Sequence, residues 1–158
     1  MLNQEIVFNV KNAANKVYES FIKNLSKYAK KTKSDPLLEE SFNRVNEKYL
    51  NGALDRPNLV FGSTSSTKLG SYEYQTDTII VSSIFKNADI ALLDYIMYHE
   101  MLHKKHRFYT KNGRSYHHTG KFKIEEKKFE NLPQIEKELK ILCRKAKIRQ
   151  NFFFRWLK

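Results

Sequence analysis

The sequence predicts an α+β fold, with a small three-stranded, mostly antiparallel sheet packed with helices. Two observations predict it. Before Asn51 and after Ala88, apolar residues recur at three- and four-residue steps, the spacing of one helix face. Between Pro57 and Ser83 they come instead as short β-branched or aromatic runs separated by turn formers. With 158 residues, the chain is long enough to bury a core without disulfides.

The first helical stretch runs from about Val10 to Lys31. Val10, Ala14, Val17, Phe21, Leu25 and Tyr28 form its apolar stripe, expected to pack on the domain, and lysines fill the other positions. Ser34-Asp35-Pro36 supplies a polar cap followed by proline at the first helical position. Leu38, Phe42, Val45 and Tyr49 then carry a second helix to its stop at Asn51-Gly52. Leu59-Val60-Phe61, Ser71-Tyr72-Glu73-Tyr74 and Thr78-Ile79-Ile80-Val81 read as strands, the last two joined by a hairpin at Gln75-Thr76-Asp77. Asn87-Ala88-Asp89 caps a helix from about Ile90 to His106, with Leu93, Met97 and Met101 facing the core. A polar connection follows from Arg107 to His117. Helices resume near Gly120, break at Pro133, and continue from Gln134 to about Arg149. The aromatic end, residues 151–158, is expected to dock on the core, because an exposed patch of that kind invites association.

Composition narrows the classes of function. One cysteine, Cys143, excludes an internal disulfide and a multi-thiolate zinc ribbon. The start of the chain shows no basic region followed by an apolar stretch, and no apolar run approaches bilayer-spanning length, so the expectation is a cytoplasmic protein with no membrane partner. The net charge is +12, and its placement is uneven. Residues 1–100 hold 12 Lys and Arg against 12 Asp and Glu, whereas residues 101–158 hold 17 against 5. That asymmetry fits either a polyanion-facing surface or lysines spread over solvated helix faces. The sequence does not specify an oligomeric state.

The chemistry is carried by His99-Glu100-Met101-Leu102-His103. Residues four apart on a helix lie one above the other, so His99 and His103 can offer imidazole nitrogens to a single ion. Glu100, one position on, is turned aside to where it reaches a water rather than the metal. Two ligands and a general base are the physical content of His-Glu-x-x-His, which predicts a zinc-dependent endopeptidase using a zinc-activated water and Glu100 as general base. A third ligand must come from elsewhere. His117 and His118 follow the loop, Glu125 and Glu126 lie on the next helix, and His106 continues the histidine row away from His99. Tyr72, Tyr74, Tyr109, Tyr116, Arg107 and Arg114 are the available groups that could steady an oxyanion.

From about Leu38 to Phe122 the chain resembles the SprT-like metallopeptidases, the zinc-dependent group that includes the DNA-dependent protease Spartan. The resemblance runs through Phe42 to Gly52, Pro57 to Phe61, Ile79 to Ser82 and Tyr98 to His103, and closes with a histidine, small residue and aromatic pattern at His118 to Phe122. It implies a zincin-like active-site helix, Zn2+ held by His99, His103 and His118, Glu100 as the catalytic base, and a protein or peptide substrate. The chain is expected to divide into three regions: a helical extension at 1–34 and a basic helix with an aromatic tail at 132–158, both outside the resemblance, and a SprT-like core at 35–131. The chain departs from the family in having no cysteine zinc ribbon. The basic C-terminal part offers a surface for DNA as a further partner, which would make DNA-bound proteins the substrates. The alternative is a nucleic-acid-binding or metal-binding interaction protein whose zinc site is not proteolytic.

Overall fold

The computed structural model describes residues 13–22, 24–25, 28–111 and 114–156. Asp35 and Pro36 open the first long helix, α1 (Pro36–Leu50), where the Asp35 side chain accepts a hydrogen bond from the Leu37 amide at 3.0 Å. The helix ends where Asn51 (φ 54°) and Gly52 (φ 68°) turn left-handed and the Gly52 amide donates to the Asn46 carbonyl. Its apolar face, Leu38, Phe42 and Val45, is buried as the periodicity predicts.

Three strands follow, β1 (Asn58–Phe61), β2 (Gly70–Glu73) and β3 (Thr78–Val81), in the order β1-β3-β2. β1 runs parallel to β3, and β2 antiparallel to it. The sheet is therefore mixed within the expected α+β class. Its two sides differ in a way that matters for function. Along β1, Ser34 forms a bridge with Leu59, and the Asn58 side chain binds the Lys33 amide and the Lys30 carbonyl, so chain covers that edge. Among the described residues, β2 pairs with a strand on one side only.

A 3-10 turn at Ser83–Asn87 leads to α2 (Ile90–His106), capped by Asp89, whose side chain accepts from the Ala91 amide at 2.8 Å. Its core-facing stripe, Leu93, Met97 and Met101, is buried as expected, and so are Leu92, Ile96, Tyr98 and Leu102. The helix is enclosed because it packs on α1, on β2 and β3, and on the two helices that follow. Ser41 and Arg44 of α1 both donate to Asp94 of α2, at 2.6 Å and 2.8 Å.

The stretch expected to be a plain polar connection holds a second, two-stranded sheet, β4 (Tyr109–Lys111) and β5 (Arg114–Tyr116). Neither strand is long enough to show an alternation in the sequence. Then come α3 (Gly120–Glu126) and α4 (Leu132–Trp156). The helical break falls at 127–131, where Asn131 has φ 54°, and not at Pro133, which sits in the first turn of α4 where a missing amide costs nothing. α4 runs seven residues past the expected end at Arg149. The expected docking of the aromatic tail concerns side chains outside the described residues.

One packing expectation is overturned. In the N-terminal helical segment Val17, Phe21 and Tyr28 are 70, 60 and 84% exposed, while Leu25 of the stripe is half-buried and Ile22, off it, is buried. Periodicity specifies an amphipathic helix but not a partner for it; Val10 of the stripe lies outside the described residues. No helix among the described residues is long and apolar enough to cross a membrane.

Candidate metal centre

His99 and His103 lie one turn apart on α2 with their Nε2 atoms 3.2 Å from each other. The turn after β5 brings His118 to them. Its Nε2 is 3.3 Å from that of His99 and 3.1 Å from that of His103, so three ring nitrogens form a nearly equilateral triangle. Thr119 fixes this approach by capping α3, its hydroxyl accepting from the Phe122 amide. The wholly buried Phe122 ring floors the site, with its centroid 4.8 to 5.1 Å from those of all three imidazoles.

Hydrogen bonding within the cluster cannot satisfy such a triangle. Each Nε2 is either a donor or an acceptor, so among three mutually adjacent nitrogens at least two must be alike. A shared cation removes the conflict by engaging three lone pairs at once. The dimensions suit zinc: nitrogens placed tetrahedrally at about 2.0–2.1 Å from the ion lie about 3.3–3.4 Å apart.

Protonation favours the same outcome. Burial, reinforced by His99, His118 and His117, pushes His103 down to about 3 and keeps it neutral, the form that ligates. Burial also lowers His118. Glu126 accepts from His99 Nδ1 at 2.6 Å, and the Tyr95 hydroxyl donates to the same carboxylate oxygen. With the proton held at Nδ1, the Nε2 lone pair of His99 faces the triangle. That hydrogen bond to His99 is the main reason Glu126 sits below the usual carboxylate range.

Glu100 lies beside the triangle with 4% of its surface exposed. Its Oε2 is buried without a hydrogen-bond partner, and burial pushes the carboxyl up to about 7, opposed in part by His99 and Lys68. Glu100, His99, His103 and His118 line one cleft of about 590 Å³, together with Gly70, Ser71 and Tyr72 of β2.

Other candidates are placed elsewhere. His117 is exposed at the cleft, with its ring against Phe108 at 5.5 Å, and takes no part in the triangle. Glu125 pairs with Lys105 and His106. The Tyr74 hydroxyl is 3.4 Å from the His103 carbonyl, to which it donates. Tyr116 lines the cleft. The side chains of Tyr109 and Arg114 lie outside the described residues.

Sequence reasoning missed a buried cluster behind the site. Asp77, 1% exposed and at φ 45° in the β2–β3 turn, accepts from Tyr72 at 2.7 Å and from Lys104 at 2.5 Å. Lys31 lies 3.4 Å from it. Because Lys104 directly follows His103, this ion pair fastens the cleft wall to the helix that carries the histidines. Burial holds Lys104 below its ordinary range and Tyr72 above its own, as expected of groups removed from water.

No protein-family model and no curated protein matches the sequence. A solved structure does. The chain is similar to the metallopeptidase zymogen jannalysin of Methanocaldococcus jannaschii, at 25% identity and a TM-score of 0.49, covering 73% of this chain and 94% of that one. The chemistry of the site stands on the imidazole triangle and Glu100, apart from this likeness.

Glu126 offers a direct check on the arrangement. Glu126→Ala frees His99 Nδ1 and is expected to weaken zinc binding by about 10–100-fold, read by competition titration against a chromogenic chelator. Unchanged affinity would mean that the carboxylate does not orient His99.

Proposed function

We propose that this chain is a zinc-dependent endopeptidase of the His-Glu-x-x-His type, resembling the SprT-like metallopeptidases, with Zn2+ held by His99, His103 and His118. The observation that carries this reading is the convergence of three Nε2 atoms within 3.3 Å beside a buried carboxylate in an open cleft.

When bound, zinc supplies Lewis acidity, acidifying water and polarising a carbonyl. The protein does the rest. Glu100 takes the proton of the attacking water and returns it to the amine nitrogen as the peptide bond breaks. Its unpartnered Oε2 leaves an oxygen able to hold that proton between the two transfers. Phe122 keeps water from beneath the imidazoles. Strand β2 borders the cleft and, among the described residues, is paired on one side only, so an extended substrate can pair with its backbone, which recognises main chain more than side chain and favours broad specificity.

Metal content and casein cleavage together test the reading. The wild type is expected to bind zinc and to cut casein, and Glu100→Gln to keep the metal while losing about 10²–10⁴-fold in rate. Metal-free wild type, or equal cleavage by the variant, contradicts it.

A basic stripe supports the further reading that the substrates are proteins held on DNA. Lys137, Lys140, Arg144 and Lys147 recur along α4 at helical spacing and are all exposed, although Glu136 and Glu138 interrupt the charge. Single-stranded DNA should then accelerate cleavage by the wild type and not by the triple variant Lys140→Glu, Arg144→Glu, Lys147→Glu. Equal stimulation of both proteins, or of neither, removes DNA binding by α4 from the account and leaves a DNA-independent peptidase.

A further inference from the structure

Gly70 is the first residue of β2, and its φ lies outside the left-handed region, so its backbone would accept any residue. The constraint there is space. A Cβ at position 70 would stand 2.5 Å from Glu100 Oε1, 2.9 Å from its Cγ and 3.0 Å from its Cδ. Real Cβ atoms essentially never come closer than 3.0 Å to another atom, and all three of these contacts involve the same side chain. Gly120 provides the contrast, since a Cβ there meets nothing within 4 Å.

Glu100 has little freedom to yield. It projects from a helix enclosed by the core, is itself buried, and has an oxygen with no hydrogen bond to orient it. Where no hydrogen bond places a carboxylate oxygen, packing must. We infer that Gly70 is a positioning residue for Glu100: the bare backbone at the start of the edge strand forms the recess that holds the carboxylate at the cleft, and a side chain there displaces it. The role assigned to Glu100 rests on the peptidase reading above, whereas the steric contact does not.

The test combines kinetics, zinc titration and thermal unfolding for Gly70→Ala in the wild-type chain and in Glu100→Ala. In the wild-type background, Gly70→Ala should lower kcat by about 10²-fold with KM and zinc affinity nearly unchanged, as expected for a displaced group beside an intact ligand set. It should also lower the unfolding midpoint of metal-free protein. In the Glu100→Ala background, where the obstructing side chain is gone, the same substitution should leave the midpoint where it was. Wild-type kcat in Gly70→Ala, or an equal fall in midpoint in both backgrounds, overturns the inference. If the wild type cuts no peptide, the peptidase reading falls, and the midpoint comparison alone decides whether Gly70 shapes the recess.

Discussion

Three ring nitrogens within 3.3 Å of one another, with no hydrogen-bonding pattern that satisfies all three, are the constraint on which the rest of this structure depends. They are held because α2 is buried along most of its length, because Phe122 packs against all three rings, and because Glu126 fixes His99 through its Nδ1. The apolar core therefore does more than stabilise the domain. It holds together a polar cluster that has little reason to converge without a cation.

The same economy applies to the cleft wall. β2 reaches the site because it is hydrogen-bonded to β3 and because Asp77, in the turn between them, is locked to Lys104 on α2. Breaking such a buried pair from one side leaves an uncompensated charge, so the distance between strand and helix is tightly specified. That spacing brings the Gly70 backbone against Glu100, and among the described residues no strand pairs with the other side of β2. The opposite edge of the sheet is covered by residues 33–35 through Leu59.

Much of this was legible in the sequence because it is local. Asp35-Pro36, Asn51-Gly52 and Asp89 mark helix ends through backbone groups a few residues away. His99 and His103 share a face because of helical geometry, whereas His118 was singled out among His117, His118, Glu125 and Glu126 only by the family resemblance at His118 to Phe122. Long-range relationships were hidden. Nothing near Glu126 marks it as the partner of a histidine 27 residues earlier, and nothing around Gly70 announces a carboxylate 30 residues later. The β4–β5 hairpin was too short to show its period. The N-terminal stripe was legible as a helix face and misleading as a packing surface, since Val17, Phe21 and Tyr28 face solvent.

X-ray absorption at the zinc edge of the loaded protein tests the central claim most directly. Three imidazole nitrogens at about 2.0–2.1 Å and one oxygen, falling to two imidazoles in His118→Ala, is the result expected. A protein that takes up no zinc, or a shell with two imidazoles that His118→Ala leaves unchanged, would contradict it.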